Sequence, residues 1–213
     1  MSISLSLYDF FANMIPGLLY LFMLNELLRS LDARHITLSD INSTAQVLAT
    51  LVIAYILGHL FNTFSFKPWY KLFIRKYDDK MALETINNLY PELKLGFASK
   101  DSDLLFIALQ TKNKELADRI EVSRVNAIMM RNISLGLFLL GAVELLNFGR
   151  HPQEYLYLVL GISCVVFSMV SIRQAARYYQ WFYRDIFKSA AVYGDSLKSV
   201  LNYLRKDVGT KSK

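Results

Sequence analysis

The stretch YDFFANMIPGLLYLFMLNELL, from Tyr8 to Leu28, places a proline and a glycine inside an almost wholly apolar run. In a soluble helix Pro16 would remove one backbone hydrogen bond and clash with the preceding turn, at a cost of about 3 kcal/mol. Membrane helices contain proline and glycine more often, because neighbouring helices and hydroxyl side chains satisfy the carbonyl that proline leaves free. The stretch therefore favours a membrane helix.

The composition of the whole chain also favours a membrane protein. Of its 213 residues, 54% are hydrophobic and 20% are charged, and the two classes are separated along the sequence. Four stretches contain almost no charge: Phe10 to Leu28, Ala45 to Phe64, Ile128 to Phe148 and Tyr155 to Ile172. Each is close to the length of about 20 residues that crosses a hydrocarbon core. The sequence predicts an all-α, polytopic membrane protein with four transmembrane helices.

The distribution of basic residues predicts the orientation. The segment Ser65 to Asn132 holds 12 Lys and Arg residues, and the segment Arg173 to Lys213 holds 9. The opposite loops hold only Arg29, Arg34 and Arg150. Because loops rich in Lys and Arg stay on the cytoplasmic side of a membrane, we expect both termini to be cytoplasmic.

The chain is expected to contain four segments. Residues 1–66 form transmembrane helices 1 and 2, residues 67–127 form a helical cytoplasmic insert, residues 128–173 form transmembrane helices 3 and 4, and residues 174–213 form an amphipathic C-terminal helix with a basic tail. We expect the insert to be too small to bury a large core alone. Apolar residues at steps of three and four predict that the tail continues the fourth span through Gly194 as one long helix.

Basic and aromatic residues on the cytoplasmic side are candidates for binding lipid or a partner protein. Arg173, Arg177, Trp181 and Arg184 have the composition of an interfacial belt that contacts anionic headgroups. In the alternative interpretation, the aromatic face binds a partner or stacks a nucleotide base, although we expect no direct binding of nucleic acid. The other candidate residues are Lys71, Arg75, Lys76, Lys198, Arg205 and Lys206.

Polar side chains inside the predicted spans form a second group of candidates: Asp9, Asn13, Glu26, His59, Asn62 and Glu144. Glu26 and Glu144 fall near the outer ends of spans one and three. They could form the acidic mouth of a cation pathway, or lie at the interface and reach water or Arg29. The other four fall near the cytoplasmic end, where they could join helices by hydrogen bonds or relay protons or ions.

No catalytic, cofactor or metal site is predicted. The three histidines have no Cys, Asp or Glu at metal-ligand spacing, and the chain contains no phosphate-binding or nucleophile motif. We therefore expect a protein that is not an enzyme.

The motif YDFFxxxIPG, from Tyr8 to Gly17, begins a layout of two spans, a basic helical insert, two more spans and a basic tail. This layout resembles small four-span proteins encoded in bacterial anti-phage defence loci, among them the membrane subunit of the Kiwa system. The resemblance covers the whole chain in layout and only Tyr8 to Gly17 in motif.

The resemblance implies an inner-membrane subunit that forms homo-oligomers and senses infection at the envelope. It also implies recruitment of a cytosolic, DNA-binding partner protein from the same operon. Two alternatives remain open at this point. One is an oligomeric ion-conducting effector that depolarises the membrane, and the other is an accessory subunit of an unrelated transport complex.

Overall fold

The computed structural model describes residues 3–31, 43–65, 79–91 and 98–210. In this part of the chain all regular elements are helical: α1 (Ile3–Ser30), α2 (Thr44–Phe64), α3 (Asp79–Leu89), a short 3-10 helix (Ser99–Asp101), α4 (Ser102–Lys112), α5 (Lys114–Arg150) and α6 (Tyr155–Thr210). Four of them, α1, α2, α5 and α6, are long and apolar enough to cross a membrane. The predicted all-α class with four candidate membrane-spanning helices is confirmed.

The chain divides into two compact units. The membrane unit consists of Met1–Ile74 and Val125–Ala175, and the helical unit consists of Arg75–Arg124 and Ala176–Lys213. The two longest helices, α5 and α6, each contribute residues to both units.

In the membrane unit, α1 and α2 pack along each other at two glycines. Gly17 faces the backbone of Ala54, and Gly58 faces the backbone of Asn13, with no room for a side chain at either glycine. Asn13 and Gly17 are one helical turn apart, as are Ala54 and Gly58, so an antiparallel pair makes the same close contact twice. α1 runs through the buried Pro16 as one helix.

A second antiparallel contact joins α5 and α6 in the membrane unit. The Ser134 hydroxyl donates to the carbonyl of Ser168 at 2.9 Å, and the Ser168 hydroxyl donates to the carbonyl of Ser134 at 2.8 Å. Seven residues further along α5, Gly141 meets Gly161, and a Cβ on either glycine would lie 3.0 to 3.2 Å from the carbonyl oxygen of the other. Small residues at two levels thus allow the backbones to approach closely.

Apolar side chains on the outer faces of α2 and α6 are exposed, as contact with lipid requires. The most exposed of those on the membrane unit include Leu48, Val52, Leu60, Leu156, Val159 and Phe167. Such large apolar surfaces are rare on soluble proteins, so this exposure agrees with a membrane environment.

The helical unit has a hydrophobic core of its own. Its buried residues come from α3, α4, the start of α5 and the part of α6 that belongs to this unit: Ala82, Leu83, Ile86, Leu105, Phe106, Ala108, Leu109, Ala117, Ile120, Phe182, Ile186, Phe187, Ala190 and Leu197. Five of these fourteen residues lie in the tail. The insert therefore does not build this core alone, because the tail supplies one of its sides.

The α4–α5 junction is fixed to the tail by an asparagine. The Asn113 side chain accepts the backbone N–H of Leu116 at 3.0 Å, as an N-terminal cap of α5 does. Its amide nitrogen donates to the Tyr193 hydroxyl at 2.9 Å. The Asn113 side chain thus caps the start of α5 and connects α6 to the insert.

The tail differs from the expected single helix at one residue. Gly194 has φ 49° and ψ −123°, and two helical segments meet there at a kink inside α6. Residues with a side chain rarely adopt this conformation, whereas glycine does so at little cost. The expectation that the helix continues unbroken through Gly194 is therefore wrong. The reason is that glycine permits a positive φ. Leu197, three residues beyond the kink, lies in the core of the helical unit.

Candidate functional site

Besides the Ser134–Ser168 pair, the described part of the membrane unit holds two groups of polar side chains that are buried or partly buried. The arginine cluster contains Tyr20, Asn62, Ser65, Arg131 and Asn132. The carboxylate pair contains Glu26 and Glu144. Polar groups are expensive inside a membrane, so their presence and their partners indicate function or specific assembly.

Arg131 joins α5 to the end of α2. Its side chain is only 3% exposed, and its Nε donates to the Ser65 hydroxyl at 3.2 Å. One terminal nitrogen of the guanidinium donates to the side-chain oxygen of Asn62. The Ser65 hydroxyl in turn donates to the side-chain oxygen of Asn132. Two consecutive residues of α5 are thus bound to one turn of α2.

Tyr20 adds α1 to the same cluster. Its hydroxyl donates to the backbone carbonyl of Asn132 at 2.7 Å, and its ring stacks on Phe61 with centroids 4.3 Å apart. Tyr20 and Asn132 are both fully buried. The arginine cluster therefore links three of the four candidate membrane helices through hydrogen bonds that cross long sequence separations.

Glu26 lies on α1 and Glu144 on α5, and these helices pack together through Tyr20, Met23, Leu140 and Val143. Glu144 is 5% exposed. The Glu26 carboxylate is 3.8 Å from Arg29 of its own helix, and the side chain of Glu26 is 13% exposed. Asn147, three residues further along α5, is also buried. The Oε2 of Glu144 is buried and has no hydrogen-bond partner among the described residues.

This arrangement offers acidic oxygens to a positively charged species. Two carboxylates that are close and poorly solvated repel each other when both are ionised. A proton or a small cation relieves that repulsion. Chemically, the carboxylate pair is thus suited to binding a cation, whereas the arginine cluster is suited to joining helices.

The structure brings together some of the predicted intramembrane residues and separates others. It places Glu26 and Glu144 on two helices that pack together, and it places Asn62 with Arg131. Asn13 lies at the crossing of α1 with α2. His59 is exposed, with its ring 6.4 Å from that of Tyr55. The Asp9 side chain lies outside the described part of the chain.

The predicted lipid- or partner-binding residues are only partly described. Arg173 and Arg177 are exposed, and Trp181 is 39% exposed with its ring edge-on to Tyr178. Arg184 is half-buried and lies 3.8 Å from Asp185. Lys71, Arg75 and Lys76 lie outside the described residues, as do the side chains of Lys198, Arg205 and Lys206.

Most of the arginine cluster was not predicted as a site. In the sequence, Arg131 contributes only to the charge asymmetry, and Ser65 marks the end of an apolar stretch. The signal that could have identified the cluster is the pair Arg131–Asn132, which places two strongly polar residues together at the start of the third apolar stretch. An intramembrane arginine needs partners, so this pair calls for polar residues on a neighbouring helix.

Comparison of the chain with protein-family models, with characterised proteins and with solved structures gives no match. A proposal for its function therefore rests on the two units and on the polar groups described above.

Proposed function

We propose that this protein is a non-enzymatic sensor or scaffold subunit of a bacterial anti-phage defence complex. In this proposal it is integral to the inner membrane, has both termini in the cytoplasm and recruits a cytosolic partner protein. The observation that supports it most is the core of the helical unit, which joins the insert to the tail.

A unit with its own core presents a fixed surface, whereas separate helical segments would not. The insert and the tail also contain most of the Lys and Arg residues of the chain. Such a surface attracts a partner with an acidic patch, because complementary charge steers association and sets its salt dependence. Recruitment of an acidic region of a cytosolic protein is thus the function best suited to the helical unit.

The same basic residues support the proposed location of the protein in the inner membrane. Exposed Arg173, Arg177 and Trp181 are suited to anionic headgroups at the cytoplasmic surface. Assembly into homo-oligomers is supported by Ala45 and Ala49, which form an exposed ridge of small residues on α2. The role in defence, and a partner encoded in the same operon, come from the resemblance of the layout and of the Tyr8 to Gly17 motif.

The test is recovery of the operon partner with the tagged, full-length protein from detergent extracts. In one variant Lys71, Arg75 and Lys76 are replaced by Glu, and in another Lys198, Arg205 and Lys206 are replaced. We expect wild type to retain the partner at low salt and lose it as salt rises, because screening weakens interactions between exposed charges. Both variants should retain little partner at any salt concentration.

The matched control exchanges a pair of charges without changing their sum. Glu115 and Arg119 form an exposed ion pair at 2.8 Å on α5, so Glu115→Arg with Arg119→Glu reverses the pair and keeps the net charge. This control should behave as wild type. Wild-type recovery with both triple variants would place the recruiting surface elsewhere.

A second candidate function, an oligomeric ion-conducting effector, is favoured by the carboxylate pair. If the pair lines a cation path, replacing Glu26 and Glu144 together by Gln should reduce cation current, because the local field that concentrates cations is lost. The measurement is membrane potential during expression, with and without the operon partner and under phage challenge. An unchanged potential with the wild-type chain in all these conditions would exclude this function.

A further inference from the structure

We propose that Arg173 and Arg177 of α6 form a binding site for the headgroup of one anionic phospholipid, which they hold by its phosphate. This inference rests on the proposed location of the protein in the inner membrane, and it names the class of lipid that this helix face selects. It does not require the recruitment of a partner protein, because the site lies on α6 itself.

The two arginines lie on the same face of α6. They are four residues apart in a regular part of the helix, so they are about one turn and about 6 Å apart along its axis. Both residues are exposed. Guanidinium groups offer several N–H donors in a planar fork that fits phosphate oxygens. Two of them at this spacing can therefore bind one phosphate together.

Arg173 and Arg177 differ from the other arginines whose side chains the structure describes. Within the described part of the chain, neither one has an ion pair or a hydrogen bond. Each of the other six has a partner there, either a carboxylate or a neutral group: Arg29, Arg119, Arg124, Arg131, Arg150 and Arg184. The positive charges of Arg173 and Arg177 thus remain available to a ligand from outside the chain.

The position of the two arginines favours a lipid over an acidic segment of a protein. The uncharged stretch from Tyr155 to Ile172 ends directly before Arg173, and its side chains include the exposed Val159 and Phe167. The headgroup layer on each side of a bilayer is about 5–7 Å thick. At about 1.5 Å per residue, Arg173 and Arg177 both reach this layer when α6 crosses the membrane.

The missing partners also determine the class of lipid. A zwitterionic phospholipid carries its own ammonium group beside the phosphate, whereas an anionic phospholipid has a net negative charge. Basic residues at the membrane surface attract the anionic class. Trp181, four residues beyond Arg177, is 39% exposed, and its amphipathic ring suits the same polar layer.

The experiment is native mass spectrometry of the full-length protein in detergent, with equimolar phosphatidylglycerol and phosphatidylcholine that have the same acyl chains. We expect the species with one bound lipid to favour phosphatidylglycerol by about fivefold or more, which corresponds to about 1 kcal/mol. Arg173→Gln with Arg177→Gln should abolish this preference. Arg173→Lys with Arg177→Lys keeps both charges and should keep most of the preference.

The matched control removes two arginines that already have partners. Arg119 and Arg124 on α5 each pair with a carboxylate of the same helix. Arg119→Gln with Arg124→Gln changes the net charge by the same amount as the double Gln variant on α6. It should nevertheless keep the lipid preference of wild type, because neither arginine is available to a phosphate.

The proposal is overturned if wild type binds the two lipids equally, or if the Gln variant at Arg173 and Arg177 keeps the preference. It is also overturned if the control or the Lys variant loses the preference as completely as that Gln variant. Loss of the operon partner from the Gln variant with an unchanged lipid preference would identify the face as a protein-binding surface. Because the assay contains no partner protein, a failure of recruitment leaves its result unchanged.

Discussion

Gly17 of α1 lies against the backbone of Ala54 of α2 so closely that a Cβ atom on Gly17 would be 1.6 Å from the Ala54 carbonyl oxygen. The same Cβ would be 2.4 Å from the carbonyl carbon. No rotamer change can relieve such a contact, because the carbonyl oxygen and carbon of Ala54 belong to the backbone. Gly17 is thus required by helix packing, which explains why a glycine stands in the middle of this apolar stretch.

We predict that Gly17→Ala separates α1 from α2 and destabilises the membrane unit by at least about 1–3 kcal/mol, the usual cost of overpacking. Gly58→Ala should have a similar effect, since its Cβ would be 1.9 Å from the carbonyl oxygen of Asn13. The measurement is unfolding in mixed micelles with increasing amounts of a denaturing detergent, followed by circular dichroism.

The control for these variants is Gly149→Ala. Gly149 is also helical and exposed, and outside its own helix backbone no heavy atom of the described residues lies within 4 Å of the position that a Cβ would take. Alanine should therefore be tolerated and gain up to about 1 kcal/mol of helix propensity. Equal stability of Gly17→Ala and Gly149→Ala would show that α1 and α2 do not meet at Gly17.

The four membrane helices were predictable because hydropathy is a local property. A stretch such as Ala45 to Phe64 shows its length and its lack of charge directly in the sequence. The contact of Ala54 and Gly58 with α1 could also be predicted in part. These two small residues are one helical turn apart in the sequence, and such a ridge allows another helix to approach closely. The sequence did not show which ridge is used within the chain, and in the structure Ala45 and Ala49 are exposed while Ala54 and Gly58 are buried.

The arginine cluster was harder to predict because its hydrogen bonds join distant residues. Tyr20 and Asn132 are 112 positions apart, and Arg131 and Ser65 are 66 positions apart. Their pairing depends on which helices are neighbours and how each is rotated about its axis. Neither property follows from composition or periodicity, so the sequence alone groups Asn62 with His59 and not with Arg131.

The second prediction concerns Ser65, whose hydroxyl serves both Arg131 and Asn132. Ser65→Ala removes an acceptor from a buried guanidinium and a donor from a buried amide oxygen. Unmet buried polar groups cost about 1–3 kcal/mol, so we expect a loss of stability in that range in the micelle unfolding assay.

The matched control for Ser65 is Thr63→Ala, two residues earlier. Thr63 is exposed on α2, so removal of its hydroxyl should leave stability within about 0.5 kcal/mol of wild type. If Ser65→Ala were as stable as this control, the hydrogen bonds of the arginine cluster would contribute nothing to the fold.

The third prediction concerns the kink in α6. Gly194→Ala places a side chain on a residue with positive φ, which costs about 1–3 kcal/mol in strain. Among the described residues no heavy atom beyond its own helix backbone lies within 4 Å of its Cβ position, so the cost arises from the backbone alone. We expect the tail to straighten and Leu197 to leave the core of the helical unit.

A double-mutant cycle separates straightening of the tail from simple strain. In the wild-type background Leu197→Ala should cost about 2–5 kcal/mol, as a fully buried leucine does. In the Gly194→Ala background it should cost much less, because Leu197 would already be exposed. Equal costs in the two backgrounds would mean that the kink is not needed to bury Leu197.

The last prediction tests the orientation that the proposed function requires. A reporter that is active only in the cytoplasm should be active when fused after Lys213, and a reporter that is active only outside should be active when inserted at Ser39. The reason is the excess of Lys and Arg in Ser65 to Asn132 and in Arg173 to Lys213 over the opposite loops. Each reporter placed at the other position serves as its control and should be inactive. A C-terminus outside the cytoplasm would contradict the four-span orientation, and it would also remove the recruitment of a cytosolic partner by the tail.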